Sequence, residues 1–325
     1  MRLVIKYLLV FLSIVVGATF MYSAYTKILP IQPFEYTMVE YLHLPWLLAA
    51  IAARFFVGLE AALGGLMILH FFGDKKWVPK TAFLLLIIFS IYLAALWAVA
   101  GNNLNCGCFG DAIWMSPSTS LIKNAVLLLF IGLIIRFHKG FNYKWVNPTA
   151  FWLFVCTIIL PFILFAIQAG EPSWLRKDRY KADFTTLYHP VATDSATAAQ
   201  AALVPYPATP TIDLMTGKHI VAFLSPSCPH CRIAARKMHL MKQSNPALPF
   251  FMVIGGLTSD LKDFWKESSA QNIPYMRLDR EPFLGFTGGV FPLIIWVNDG
   301  WVEAKSTYNT MNQGEVEKWL GKTSH

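Results

Sequence analysis

Four of the five cysteines in this 325-residue chain fall into two close pairs, and their spacing suggests redox or metal chemistry before it suggests a stapled scaffold. The first pair is Cys106-Gly107-Cys108, the second Cys228-Pro229-His230-Cys231, and Cys156 stands alone in an apolar run. A C-x-x-C at the start of a helix places its first thiol where free backbone N–H groups and the helix dipole favour negative charge. The thiolate is the form that attacks a disulfide, and the second cysteine, about one turn on, can resolve the adduct. Pro229 fits the first helical position because it has no donor to waste there. His230, between the cysteines, can stabilise the thiolate further. A zinc half-site or an inert disulfide would use the same spacing, but zinc wants two more ligands, and the soluble part of the sequence offers no second pair.

The C-x-C is different. Two cysteines separated by one glycine close only a small, strained ring, and a strained disulfide is easily reduced, which suits a relay better than a brace. A metal-binding C-x-C and unpaired structural thiols are the competing readings.

The elements that must carry these residues follow from composition. Hydrophobic residues make up 55% of the chain, charged residues 14%, and mean hydropathy is +0.47, so much of the surface must face lipid. The net charge of +8 sits in short loops between apolar runs, and no basic face with recognition spacing suggests nucleic acid. Five segments are long and apolar enough to span a bilayer: residues 4–24, 46–72, 78–100, 119–137 and 149–169. The first resembles a signal peptide, but its apolar core is too long for one, so an uncleaved first span is expected. With the N-terminus in the cytoplasm, the inner segments carry Arg2, Lys6, Lys75, Lys76, Lys80, Arg136, Lys139 and Lys144, and the outer ones little beyond Lys27. Five spans then put both cysteine pairs on the extracytoplasmic side, in an oxidising compartment.

Within the spans, Arg54 and Glu60 are six residues apart and do not share a helix face well, and Lys27 can snorkel to the outer boundary. Lys27, Arg54 and Glu60 therefore define either a structural polar network or an intramembrane proton or quinone site. Cys156 is expected to be a small packing residue, and Pro161 to kink the last span.

After residue 170 hydropathy collapses, and residues 171–210 read as an extracytoplasmic linker. The Ala-, Thr- and Pro-rich stretch 192–208 is its tether, and a strand is expected near Phe184. Residues 211–325 return to an α/β pattern. Strands are expected at 220–224, 249–254 and 275–278, with a hairpin at 293–304 turning at Asn298-Asp299-Gly300. Helices are expected at 229–243, at 259–270 with Ser259 as N-cap, and at 312–320.

Two resemblances add to this. The run Ser225-Pro226-Ser227-Cys228-Pro229-His230-Cys231 after a strand, with Val290-Phe291-Pro292 before a hairpin, resembles a thioredoxin-like domain over residues 210–322. The resemblance implies that Pro292 is a cis proline beside the active cysteines, and the Pro-His dipeptide resembles the oxidising DsbA type. The buried acid usual six residues before the first cysteine is replaced by Ala222. Further upstream, Ser23-Ala24-Tyr25-Thr26-Lys27, Arg54, Gly58-Leu59-Glu60 and Cys106-Gly107-Cys108-Phe109-Gly110 resemble the MauE/DoxX-like membrane family over residues 5–137. The MauE branch is associated with disulfide formation during methylamine dehydrogenase maturation.

The expected fold is an α-helical transmembrane bundle, a four-helix core within residues 1–140 plus a fifth span within 141–170. The linker and an α/β thioredoxin-like domain follow. The expected function is that of a thiol–disulfide oxidoreductase of the bacterial inner membrane. It would relay electrons from exported protein thiols through Cys228 and Cys231 to Cys106 and Cys108, then to a quinone-like acceptor, with no metal and no covalently bound cofactor. An outward-directed reductase and a non-enzymatic maturation factor or metallochaperone are the alternatives; the first would normally need cysteines reachable from both faces.

Overall fold

A computed structural model of the chain describes residues 2–111, 113–141, 145–167, 179–188, 207, 209–256 and 258–321. The chain divides into two compact units, Met1–Ile167 and Gln168–His325.

The first unit is helical: α1 (Arg2–Ile28), α2 (Gln32–Leu42), α3 (Trp46–Ile68), α4 (Trp77–Ala100), a short strand β1 (Cys108–Asp111), α5 (Pro117–Phe137) and α6 (Val146–Leu164). Five helical segments are long and apolar enough to cross a membrane: Val4–Ile28, Trp46–Ile68, Asp74–Ala100, Pro117–Phe137 and Val146–Leu164. Their outer faces leave Val4, Phe11, Ile91, Leu129 and Ile163 at 60–70% exposure, a surface that only lipid can cover at acceptable cost. Helix α2 is an addition to the sequence expectation. It is too short to span, and Glu35 and Glu40 break its apolar run, yet Pro33, Tyr36, Thr37 and Met38 bury one face against the bundle.

One close crossing organises this unit. A Cβ on Gly17 of α1 would lie 2.6 Å from the Gly64 carbonyl oxygen, and one on Gly64 of α3 would lie 2.8 Å from that of Gly17. Bare backbones meet there, as helices in lipid do where small residues face each other. Around the crossing, α1, α3, α4 and α5 fill the core with Val16, Leu63, Met67, Ala82, Leu86, Ile131 and neighbours, and α6 adds Ala150 with the partly buried Phe154 and Ile158. Helix α6 is thus an outrigger on α3, seated where a Cβ on Gly58 would touch the Ile158 backbone at 2.8 Å. Cys156, two residues from Ile158 and so on roughly the opposite face of the helix, is exposed, not packed as expected. The helix continues through Pro161 to Leu164.

The second unit contains β2 (Tyr180–Lys181), α7 (Thr185–Tyr188), β3 (Lys218–Leu224), α8 (Pro229–Ser244), β4 (Phe250–Gly255), α9 (Leu261–Ser268), β5 (Tyr275–Leu278), α10 (Arg280–Thr287), β6 (Leu293–Asn298), β7 (Trp301–Ser306) and α11 (Gln313–Gly321). One six-stranded sheet runs β2-β7-β6-β3-β4-β5. Strands β3, β4 and β5 are parallel, and β6 and β7 add antiparallel. A β3-α8-β4 crossover beside a β6-β7-α11 hairpin unit is the thioredoxin-like arrangement. Strand β4 is buried throughout, as a parallel strand covered on both faces must be.

Three expectations change here. The strand near Phe184 is Tyr180–Lys181, paired with β7, and Phe184 and Leu187 are fully sunk in the core with Val221, Phe223 and Val253. Residues 179–188 therefore belong to this unit and not to a linker, because two large apolar side chains anchor them. The stretch 192–208 lies outside the described residues except for Pro207, whose carbonyl accepts from the Arg277 N–H. Ser259 is no N-cap. It sits in a 3-10 turn, Thr258–Asp260, and its hydroxyl donates to the Asp260 carboxylate while α9 starts at Leu261. Helix α10, between β5 and β6, was not expected.

Gly64→Leu tests the crossing. Filling a backbone contact with a branched side chain should destabilise the unit by at least about 1–3 kcal/mol, lowering the thermal midpoint of the purified chain. The same change at Gly65, where an added Cβ meets nothing within 4 Å, should leave the midpoint nearly unmoved.

Candidate active sites at the two cysteine pairs

In the second unit, Cys228 is the N-cap of α8, with extended φ and ψ of −86° and 118°, and Pro229 occupies the first turn. The carbonyl of Cys228 accepts from the N–H groups of Cys231 and Arg232, while its own N–H donates to Ser225. Arg232 braces the approach to the helix by donating from Nε to the Pro226 carbonyl at 2.8 Å and by pairing with Glu267. The two thiols are unequal. Cys231 is fully buried and Cys228 only half-buried. A hydrogen bond from the Cys231 thiol, helped by the backbone amides of Cys231 and His230 and by the His230 ring, holds the Cys228 pKa down to about 6. Burial, followed by the Cys228 hydrogen bond, pushes Cys231 far up. One sulfur is a nucleophile at neutral pH and its partner is a protonated reserve.

Pro292 follows a cis peptide bond at Phe291-Pro292. Because Phe223 near the end of β3 pairs with Leu293 at the start of β6, this bond stands at the same end of the sheet as the cysteine loop. Ala222 is fully buried between Met252 and Ile294 on the neighbouring strands, so no carboxylate occupies that place to take the Cys231 proton.

Sequence reasoning missed Tyr308. Its ring stacks on His230 with centroids 5.6 Å apart and 14° between planes, and its hydroxyl lies 3.0 Å from His230 Nδ1. The Tyr308 carbonyl in turn accepts from the buried Lys237 of α8 at 2.7 Å. Tyr308 lies in the loop between β7 and α11, remote in sequence, and no local motif announces it.

In the first unit, Cys106 and Cys108 sit between α4 and α5. Asn105 ties this loop together: its amide donates to the Gly110 carbonyl, and its oxygen accepts from the N–H groups of Gly107 and Met115. Gly107 has φ +69°, a conformation glycine adopts without strain. A Cβ on Gly110 would strike the Thr26 carbonyl oxygen at 2.6 Å, so the loop packs directly on the end of α1. Ser116 caps α5 by accepting from the Thr119 N–H. Cys106 is 3% exposed with its sulfur 2.9 Å from the Ser120 hydroxyl, and Cys108 is half-buried. The Cys106 hydrogen bond, with Lys123 and Lys27 nearby, lowers the Cys108 pKa despite burial, and the same bond raises that of Cys106.

Of the three membrane charges picked from sequence, two come together. Lys27 does not snorkel: at 3% exposure its ammonium lies 2.6 Å from Glu60. Helical side chains lean toward the N-terminus, so Lys27 reaches back into the bundle. The Ser23 hydroxyl lies 3.0 Å from the Glu60 carboxylate and 2.8 Å from the Cys108 carbonyl. Arg54 belongs to a separate group. It pairs with Glu35 of α2 at 2.6 Å and donates to the Phe165 carbonyl just past α6. Lys27, Glu60 and Cys108 share a cavity of about 20 Å³ with Ser23, Lys123 and Asn124. That is the space of one water, not of a quinone ring. Among the described residues, no group of three or more His, Cys, Asp or Glu side chains is arranged to hold a metal.

The unequal thiols of α8 make a pH prediction. A lowered pKa means that the Cys228 thiolate is present above pH 6 and is lost as pH falls through that value. Alkylation of Cys228 in the reduced full chain, followed by peptide mass spectrometry, should be half-maximal near pH 6. Tyr308→Phe keeps the stack but removes the hydrogen bond to His230, and should move that midpoint upward. Tyr308→Ala should move it further.

Comparison with known proteins finds similarity in both units. Residues 5–137 match the family model of methylamine utilisation protein MauE. Protein TlpB of Flavobacterium psychrophilum is 27% identical over 321 residues, covering 87% of this chain and 86% of that protein. The thioredoxin domain of a thiol-disulfide oxidoreductase from Bacteroides vulgatus is 21% identical, covers 34% of this chain and 83% of its own, and superposes with a TM-score of 0.29. A secreted Mycobacterium tuberculosis disulfide oxidoreductase homologous to Escherichia coli DsbE is 18% identical, covers 31% of this chain and 81% of its own, and has a TM-score of 0.25. Residues 5–137 are thus similar to the MauE family, and the second unit, by its own sheet order, holds a Cys-Pro-His-Cys site on a thioredoxin-like fold.

Proposed function

We propose that this chain is a membrane-bound protein thiol–disulfide oxidoreductase in which the two cysteine pairs exchange electrons with each other. The observation that carries the proposal is the unequal pair at the start of α8: a half-buried Cys228 with a pKa of about 6 above a fully buried, protonated Cys231. As the disulfide, this pair takes up an exported protein's thiolate, releasing one thiol from Cys228–Cys231. The protein's second thiol then displaces Cys228, leaving an oxidised product and a reduced domain. Cys228 thiolate next attacks the Cys106–Cys108 disulfide, and Cys231 completes the exchange. Each step is a thiol–disulfide displacement with two electrons conserved.

The membrane pair must then pass its electrons to a lipid-soluble oxidant. A quinone is the simplest such acceptor, and the cavity at Lys27, Glu60 and Cys108, about 20 Å³, has room for a water and not for its ring. Orientation rests on the basic residues: Arg2, Lys6, Lys75, Lys76, Lys80, Arg136, Lys139 and Lys144 argue for a cytoplasmic N-terminus in the inner membrane. Lys27 and Lys123 at the other end both turn toward the Cys108 cavity. Cys106 and Cys108 then lie on the extracytoplasmic side. Helix α6 ends on that side too, since Phe165 contacts Arg54 near the start of α3. Tethering makes the exchange intramolecular, at high effective concentration.

Trapping tests the relay. In full-length protein, Cys231→Ser combined with Cys106→Ser should accumulate a disulfide between Cys228 and Cys108. If neither this pair nor Cys231→Ser with Cys108→Ser ever crosslinks within one chain, the relay is wrong. The direction of flow is set by the Cys228–Cys231 potential, measured by equilibrating the full chain with redox buffers. A value near about −120 mV fits oxidation of substrates, and one near about −270 mV would reverse the flow.

A further inference from the structure

From the wall of the Cys108 cavity we infer that the membrane pair is polarised: when reduced, Cys108 is the thiolate nucleophile, Cys106 is the protonated partner, and Lys123 is the counter-charge that sets this order. The inference rests on the thiol–disulfide reading above, and it gives the two sulfurs of that reading different jobs.

The geometry supports it in three ways. First, the cavity is lined by two ammonium groups, Lys27 and Lys123, and by one carboxylate, Glu60. Lys27 is already committed to Glu60 at 2.6 Å, with both side chains almost completely buried. Lys123 lies over the Phe109 ring, 4.5 Å from its centroid, and brings one more positive charge to the wall. Lys123 is half-buried, and with Lys27 already paired it leaves the wall one positive charge in excess, which a thiolate on Cys108 neutralises. Second, Cys106 is buried against Ser120 whereas Cys108 is partly accessible, so an incoming sulfur meets Cys108 first. Third, the other titratable groups near Cys108 do not compete for this role. Tyr92 of α4, with Glu40 and Tyr41 of α2 acting on it, stands by the pair, and these groups bring no positive charge. The lowered pKa of Cys108 agrees with this layout.

The exchange then has one order. The Cys108 thiolate attacks a sulfur of an incoming disulfide; a Cys108–partner bond forms, the partner's internal S–S bond breaks, and its freed thiolate takes a proton. Cys106 loses its proton and attacks Cys108. The Cys106–Cys108 bond forms, the partner's second thiolate leaves, and the partner is reduced by the two electrons that the pair has given up. By microscopic reversibility, electrons entering the membrane pair from the Cys228 thiolate pass through the same Cys108 adduct.

Sequence reasoning did not single out Lys123, which stands near the start of a span. No motif joined it to a cysteine pair some fifteen residues earlier, across a loop and the first turn of α5.

The test uses reduced full-length protein in nanodiscs and iodoacetamide, with labelling at each cysteine quantified by peptide mass spectrometry. At pH 7, Cys108 should label at least about tenfold faster than Cys106. Lys123→Met should shift the pH midpoint of Cys108 labelling upward and, at pH 5, well below that midpoint, slow the labelling by up to about tenfold, since one pKa unit is there a tenfold change in thiolate. Lys123→Arg should restore both, which separates charge from folding. In the Cys231→Ser background, Cys106→Ser should trap Cys228 and Cys108→Ser should not. Faster labelling of Cys106, or a Lys123→Met profile that matches the unaltered protein, overturns the inference. Failure of both crosslinks with the labelling pattern intact would instead discard the relay and leave the polarised pair standing.

Discussion

An ammonium and a carboxylate lie 2.6 Å apart in the interior of the helical unit, and the membrane site is arranged around them. Bringing either charge into an apolar bundle alone costs several kcal/mol, and removing one partner of such a pair typically costs about 3–5 kcal/mol because the other is left stranded. Lys27 and Glu60 can therefore exist at these positions only together, which fixes the rotation and height of α1 against α3. The Gly17–Gly64 crossing below them brings the two backbones close enough for the pair to close. Ser23 extends the constraint by bridging the carboxylate to the Cys108 carbonyl. The loop that carries the cysteines is thus positioned by the same charge pair that locks two spans.

The two cysteine sites reach the same chemical asymmetry by different means. In each, one thiol is buried and its partner is easier to ionise. At Cys228 the charge is favoured by the Cys231 thiol and then by backbone N–H groups, which the start of a helix supplies to any residue placed there. At Cys108 there is no helix start to use: the Cys106 thiol favours the charge first, and side-chain ammonium groups from α5 and α1 add to it. A helix N-terminus needs only local sequence. A cluster of side chains from separate spans needs the whole bundle to be folded first.

That difference explains how much could be read from sequence. Spans were legible because a run of some twenty apolar residues has one common use, and the strands and helix around Cys228 because their periodicity and the C-P-H-C spacing are local. The cis proline at 292 followed from resemblance, not from physics. Contacts between distant residues were not legible. Lys27 read alone is a snorkelling lysine; only the α1–α3 crossing shows that Glu60 is within reach. Arg54 was grouped with Lys27 and Glu60 although it does not share a helix face well with Glu60, and it pairs with Glu35 on a helix too short and too interrupted by acids to be noticed. Cys156 looked like packing because the outrigger position of α6 is a property of the bundle and not of its sequence. Tyr308 was invisible for the same reason, since it meets His230 only once the sheet has brought the β7–α11 loop to the cysteine end.

Strand β2 decides where the sheet domain begins. Tyr180 and Lys181 are hydrogen-bonded onto β7, and Phe184 and Leu187 are sunk into the core behind them. The chain is therefore fastened to the soluble domain by residue 180, before the Ala- and Thr-rich stretch begins. A fragment begun at residue 211 would lack that edge strand and leave the places of Phe184 and Leu187 in the core empty, so the sheet domain is complete only when its N-terminal segment from residue 179 is kept.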